Sequence, residues 1–387
     1  MGQQATSVSG LQVHTEVTGG SCPFIYVWDG ARYVLEGETF GTAVGKALET
    51  STRCTLPAAL EGHELDVRIS NERPETHYIN RATVTAYEAP RGSAVYLDEA
   101  KHAWAVAHPL QPLNAPDELR RRDGVFWRSD LSSTKGDYRD VVELTVPRER
   151  PAAQGSLIIR AINTHLFTSV YESVFRYLGD ESLQFVYALE HDPDLVKLIR
   201  DWIVESALRV EVLQDGSWRA VGEIMPEADE VPISRIVRIP CSGGDSVRIR
   251  LSMLADTWKI DAVEVDWTSS APLEEHNVPM VSAMHSKRGE VTEMVRSTDR
   301  SYAMLLPGEW IDLRFESYAS QSGGRVTYAL ESGGYLYEWL PAPAAEARAV
   351  SDAPSKVECV KALLRNRSVF LEGVFARWKE VRASGRE

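Results

Sequence analysis

Cys22-Pro23-Phe24-Ile25-Tyr26-Val27-Trp28-Asp29-Gly30-Ala31-Arg32-Tyr33-Val34-Leu35-Glu36-Gly37 is the stretch that decides the fold. Two runs rich in β-branched and aromatic residues flank Asp29-Gly30. That pair tolerates the positive φ of a tight type I′ turn, so the stretch reads as a β-hairpin. Trp28 and Asp29 read here as folding signals. The same pattern continues outward. Leu65, Val67 and Ile69 alternate with charged neighbours, as a half-buried strand requires. Residues 82–87 and 94–97 add two strands before Pro109, Pro112 and Pro116 mark a boundary. The expectation is a flexible polar leader over 1–20 and an N-terminal β module over 21–109.

Strand candidates follow at 141–146, 156–162, 208–213, 218–224, 233–239, 246–253 and 260–266. With turn signals between them they predict a jelly roll or β-sandwich over 110–270. Gln214-Asp215-Gly216-Ser217 repeats the Asp-Gly hairpin signal. A helical insertion interrupts at 168–206, with stripes at Tyr171, Val174, Phe175 and Leu178 and at Leu195, Leu198, Ile199, Trp202 and Ile203. Asp192 is placed to N-cap the second stripe, with Pro193 at the first helical position and Asp194 near the positive dipole end.

A small β region is expected over 271–345, from alternation at 310–315 and strands at 325–331 and 335–339. Pro341-Ala342-Pro343-Ala344-Ala345 reads as a linker. Residues 346–387 complete the chain as linker and amphipathic helical tail, broken near Asn366. The expected fold class is mostly β and multidomain: a central jelly-roll or β-sandwich with a helical insertion and a C-terminal amphipathic helical tail.

At 387 residues the chain exceeds what one core sustains, which predicts two or three domains. Lys and Arg total 42 against 56 Asp and Glu, a net charge of −14. That balance repels phosphate backbones, so nucleic acid is not an expected partner. No apolar run reaches the ~18–20 residues that span a bilayer, so no transmembrane segment is expected. Residues 1–20 lack the apolar core of a signal peptide. Cys22 and Cys54 fall in one predicted module and either bridge in an oxidising compartment or stay as buried thiols.

No GxSxG, P-loop, GxGxxG, HxH, HExxH or paired-cysteine motif occurs. No catalytic and no cofactor-binding residue is therefore expected. A structural Ca²⁺ is entertained at the acidic loops Pro226-Glu227-Ala228-Asp229-Glu230 and Leu97-Asp98-Glu99. His191-Asp192 reads as helix capping rather than an acid–base pair. Ten tryptophans and fourteen tyrosines are present. Trp28, Trp127, Trp218, Trp258, Trp310 and Trp339 lie on or beside predicted strands. Most should be buried, and at least one is expected on the surface, where an aromatic ring stacks on a sugar or meets a protein.

Cys22-Pro23-Phe24, Trp28-Asp29-Gly30 and Tyr33, followed by Thr76-His77-Tyr78-Ile79 and the strand ending at Pro90, carry a resemblance. The chain resembles β-rich modules that follow FG-GAP or tetratricopeptide repeats in bacterial surface and periplasmic proteins. Leu306-Pro307-Gly308-Glu309-Trp310-Ile311-Asp312-Leu313-Arg314-Phe315 looks like a second element of such modules. The resemblance implies a location at the cell surface or in the periplasm and defines no catalytic residues.

The leading expectation is a non-catalytic binding or assembly protein, a structural or accessory subunit. Its protein partner, or a second copy, would meet the tail at Val360, Leu363, Leu364, Phe370, Val374 and Trp378. A carbohydrate-binding β-sandwich is the alternative. A glycan hydrolase is third and requires two carboxylates facing each other across a cleft.

Overall fold

The computed structural model describes residues 23–131, 138–148, 153–227, 230–240, 244–268, 271–339 and 355–383. It is mostly β, with two sandwiches and a layer of helices, and so follows the expected fold class.

The first sandwich pairs a six-stranded with a five-stranded sheet. The six-stranded sheet runs, in spatial order, Gly289–Glu290, Met280–His285, Trp310–Phe315, Leu65–Ser70, Phe24–Trp28 and Tyr33–Glu38. The other contains His276–Val278, Glu75–Ala89, Arg325–Glu338 and Thr50–Leu56, with Ala303–Leu305 paired to Glu75–Ala89. Val27, Val67, Ile69, Val84, Leu313, Phe315 and Leu330 meet in its core.

Strands from 21–109 and from 271–345 therefore share both sheets, where the sequence places them in separate regions. The reason is burial. A few strands with one apolar face are not stable alone: Trp310–Phe315 satisfies its backbone by pairing with Leu65–Ser70 and Met280–His285, and buries Ile311, Leu313 and Phe315 in the core shared with the opposite sheet. The strands expected at 325–331 and 335–339 are one strand, with a bulge at Gly333/Gly334. A Cβ on Gly334 would lie 2.1 Å from the Tyr78 carbonyl oxygen, so glycine is required for this close approach.

The second sandwich faces a six-stranded sheet (Ala103–Val106, Ala94–Asp98, Ile233–Pro240, Gln154–Asn163, Trp258–Asp266, Trp127–Arg128) against a four-stranded one (Ser217–Ile224, Leu208–Gln214, Ser246–Leu254, Arg139–Pro147). Leu144, Leu157, Ile159, Val210, Val212, Ile249 and Trp258 fill the space between. Ala94–Asp98, expected in the N-terminal module, joins this sandwich by pairing parallel to Ile233–Pro240. The chain crosses between the sandwiches after Ala89, ahead of the prolines at 109–116.

The helices are α1 (Leu166–Leu178), α2 (Ser182–His191), α3 (Pro193–Glu205), α4 (Thr292–Val295), α5 (Lys356–Arg365) and α6 (Arg367–Ala383). Asp192 caps α3 as its sequence indicates, its Oδ1 accepting from the N–H groups of Asp194 at 3.0 Å and Leu195 at 3.3 Å. No helix among the described residues is long and apolar enough to cross a membrane.

The two Asp-Gly hairpins differ. Asp215 and Gly216 have φ of +50° and +77°, and Gln214 pairs directly with Ser217, giving the expected two-residue turn. At the opening hairpin the pairing ends at Trp28 and Tyr33, and residues 29–32 form a longer loop. Asp29 Oδ1 accepts from the N–H groups of Ala31 at 2.8 Å and Arg32 at 2.9 Å. The aspartate side chain closes its own turn and leaves only Gly30 at positive φ. The leader at 1–20, Cys22, Cys241 and the linker at 341–345 lie outside the described residues, and with Cys22 the choice between a bridge to Cys54 and free thiols. Cys54 and Cys359 carry free thiols.

Candidate functional site

The candidate site is the outer face of the six-stranded sheet of the first sandwich. Alternation turns Ile25 and Val27 inward and leaves Tyr26 and Trp28 on the outside. Register then lines up side chains from five strands: Met284 pairs with Asp312, Asp312 with Arg68, Arg68 with Tyr26 and Tyr26 with Leu35. One pleat away, Arg314 pairs with Asp66, and Trp28 with Tyr33.

Arg68 is the centre of this face. Its guanidinium lies 4.3 Å from the Tyr33 ring centroid and 4.8 Å from that of Trp310. Arg68 Nε donates to Asp312 Oδ1 at 2.7 Å and Nη2 to Oδ2 at 3.2 Å. The Trp310 indole N–H donates to the same carboxylate at 3.1 Å. Trp28 meets Tyr33 edge-on at 5.4 Å. The Tyr26 hydroxyl donates to Glu72 at 2.7 Å, and burial together with that carboxylate pushes its pKa up. Burial, reinforced by the Asp312 charge, does the same to Tyr33. Trp28 remains 38% exposed, with Leu35 and Met284 also on the surface. The result is a row of aromatic rings held by ring and guanidinium contacts, with Trp310 and Tyr26 also hydrogen-bonded and Trp28 exposed. Such a surface stacks against flat, partly apolar ligands.

A second aromatic group is structural. Tyr78 and Tyr335 stack at 4.7 Å, with Tyr302 and Tyr337 edge-on against them. Glu190 of α2 accepts from the Tyr337 hydroxyl at 2.7 Å and from the Lys46 N–H at 2.6 Å. The rings fill one another's space and pin α2 to the first sandwich.

Charged groups line the joint between the sandwiches. Glu331 is buried and accepts from Arg53 Nη2 at 2.9 Å, Lys101 Nζ at 2.9 Å and Ser51 at 3.0 Å. Burial works to raise its pKa, but the Lys101 and Arg53 hydrogen bonds prevail and hold it at about 2. Arg235, also buried, donates to Glu227 and to the Arg53 carbonyl. Glu99, which accepts from the Met225 N–H, is pushed up to about 7 by burial and by the nearby Glu227 charge. Burial pushes Glu36 up to about 7 and the Cys54 thiol up to about 12.

The tail residues singled out from the sequence pack within the chain. Val360 is buried against Phe175, Leu195 and Ile199. Phe370 and Trp378 are buried against Val170, Trp202 and Leu254. Leu364 and Val374 are half-buried, and Leu363 is exposed. Among the described residues, no group of three or more His, Cys, Asp or Glu is placed to hold a metal ion. Of the acidic loops, Asp98 accepts from the His102 N–H and the Trp104 indole, while Ala228 and Asp229 lie outside the described residues.

Trp28, read from the sequence as a folding signal, is a surface ring of the candidate site. Of the six tryptophans expected on or beside strands only Trp258 is buried; Trp127, Trp218 and Trp310 are half-buried and Trp28 and Trp339 exposed, so most are not in a core. Arg68 and Asp312 were not singled out from the sequence. They are separated by 244 residues, and only the strand register brings them together.

No family model matches the chain, and no curated protein does. Among solved structures it is similar to an allantoicase at 9% identity and a TM-score of 0.22, over 53% of this chain and 77% of that one. It is similar to the GH31 alpha-xylosidase of Xanthomonas citri at 10% identity and a TM-score of 0.20, over 78% of this chain and 28% of that one. A triple-jelly-roll turret protein of an archaeal virus gives 9% identity and a TM-score of 0.16, over 87% of this chain and 99% of that one. At these scores none of the three carries a functional argument.

Proposed function

We propose that this chain is a non-catalytic binding protein and that its ligand is carbohydrate, taken up on the face formed by Trp28, Tyr33, Arg68 and Trp310. The observation that carries this reading is the clamped row itself: Arg68 between Tyr33 and Trp310, with Trp28 exposed beside it. The C–H face of a pyranose ring is apolar and slightly positive, and it complements the negative face of an aromatic ring. Rings already packed against one another and against the Arg68 guanidinium lose little freedom when a ligand stacks on them. The carboxylates of this face support a binding role, since Asp312 is engaged by Arg68 and Trp310, and Asp66 by Arg314 at 3.0 Å. The resemblance to modules behind FG-GAP or tetratricopeptide repeats supports an accessory role at a bacterial surface.

The test is affinity electrophoresis and tryptophan fluorescence of the full chain against a polysaccharide panel. Binding is expected to at least one glycan and to be lost in Trp28→Ala and Trp310→Ala, with folding checked by circular dichroism. Undiminished binding in both folded variants overturns the site, and a flat response across the panel overturns the reading.

A second reading, self-assembly, is favoured by α2. Leu183 and Tyr187 lie one turn apart on it and are 72% and 65% exposed. Light scattering of the full chain should then show an oligomer that Leu183→Lys with Tyr187→Lys dissociates. A monomeric wild-type chain removes this reading.

A further inference from the structure

We infer that the glycan taken by this face is uncharged, and that Asp312 is the positioning residue that makes it so; this rests on the carbohydrate reading above. The face carries three arginines, and each is matched by a carboxylate. Arg68 is held two-pronged by Asp312. Arg314 lies 3.0 Å from Asp66 and 3.8 Å from Glu64. Arg32 lies 3.9 Å from Asp29, across the turn beside Trp28. Four carboxylates thus stand among three guanidinium groups.

An acidic sugar approaching these rings meets no uncompensated cation. Asp312 takes Arg68 Nε and Nη2, so a carboxylate or sulfate that pairs with Arg68 has only Nη1 left to it and must sit beside the Asp312 carboxylate, a like charge fixed by the two-pronged bond and by the Trp310 indole. To reach Arg314 it must approach Asp66 and Glu64 as a like charge. A neutral sugar faces neither cost and stacks on Trp28 and the neighbouring rings. Asp312 therefore has two effects: it fixes the Trp310 ring by its N–H, and it cancels the one cation at the centre of the row.

The experiment uses the full chain, wild type and Asp312→Asn, with hydroxyethyl cellulose and galactomannan as neutral probes and polygalacturonate and heparin as acidic ones. Binding is measured at about 50 mM and about 500 mM salt, a range over which screening changes strongly. The wild-type chain is expected to bind a neutral probe with an affinity that changes less than about twofold between the two salts. It is expected to ignore the acidic probes. Asp312→Asn, which keeps an acceptor for Trp310 but leaves Arg68 uncompensated, is expected to gain salt-sensitive binding to the acidic probes. Wild-type binding to an acidic probe that weakens with salt overturns this inference and leaves the carbohydrate reading standing. Asp312→Asn that folds and still ignores the acidic probes removes the role given to Asp312. Failure to bind any probe, in either class, removes the carbohydrate reading and the inference with it.

Discussion

The Trp378 indole N–H donates to the Asp256 carboxylate at 2.6 Å, joining residues 122 positions apart. Asp256 is fully buried at the end of the strand Ser246–Leu254, in a left-handed conformation with φ +59°. Arg128 Nε and Nη2 reach it at 2.9 and 3.0 Å, and Arg382 of α6 at 3.3 Å. One carboxylate therefore ties the last helix to the second sandwich. Removing it takes from half-buried Arg128 and Arg382 the carboxylate they share, and from the buried Trp378 indole its acceptor. Asp256→Ala should cost about 1–3 kcal/mol, read as a lower denaturant midpoint. Asp256→Gly relieves the backbone but not the charge, and should be nearly as unstable. A stable glycine variant would place the effect in the backbone.

Removal of residues 355–383 should destabilise the protein rather than quietly detach a docking arm. Val360, Phe370, Phe375 and Trp378 are buried against α1 and α3, and their loss exposes Val170, Trp202 and Ile199. The shortened chain should melt lower and bind a hydrophobic dye. An unchanged melting curve would show that these helices contribute little.

Gly334→Ala should be among the most damaging small substitutions in the first sandwich. The added methyl would press on the Tyr78 carbonyl, which is backbone and cannot swing aside. A loss of about 1–3 kcal/mol or more is expected by urea titration. Gly216→Ala meets open space and is penalised only by its φ of +77°, so it should cost less.

The joint between the sandwiches should respond to pH in two directions. Glu99 is raised from 4.5 to about 7, so the folded chain holds that proton more tightly than the unfolded one. The stability this represents is fully present below about pH 4.5 and is lost as pH rises through about 7. Glu331, lowered to about 2, behaves oppositely: its contribution stands above about pH 4.5 and disappears as pH falls towards 2. Glu99→Gln should raise stability by roughly 1–2 kcal/mol at about pH 8 and by little at about pH 4. Glu331→Gln should be destabilising at about pH 8. Parallel melting curves for Glu99→Gln and wild type across this range would refute the assignment of Glu99.

Local structure was legible wherever a side chain's job is done by its near neighbours. The period-two runs at 65–69 and 310–315 became strands, and Asp192 with Pro193 opened α3. Asp29 marks the first limit. The same dipeptide as Asp215-Gly216 makes a different turn, because Asp29 accepts from Ala31 and Arg32. The greater limit is pairing at a distance. Nothing in Leu65–Ser70 announces that Trp310–Phe315 lies beside it, yet that register puts Asp312 against Arg68. The candidate site was illegible for this reason: its aromatic residues are visible in the sequence, but the clamp that orders them exists only across strands.

The second sandwich is threaded into the first. The chain leaves the first sandwich at Ala89 and returns at His276, which pairs with Ala86 of the strand it left. During synthesis the strands from 24 to 89 emerge early, yet they wait for Trp310–Phe315 and Arg325–Glu338. At about 5–20 residues per second that delay lasts on the order of ten seconds or more. Through it, the edges of Leu65–Ser70 and Glu75–Ala89 stay unpaired beside the ribosome, while the inserted sandwich can already close. Of the two β-sandwiches, the one that presents the aromatic face is thus begun first, and its last strand is made after all strands of the other.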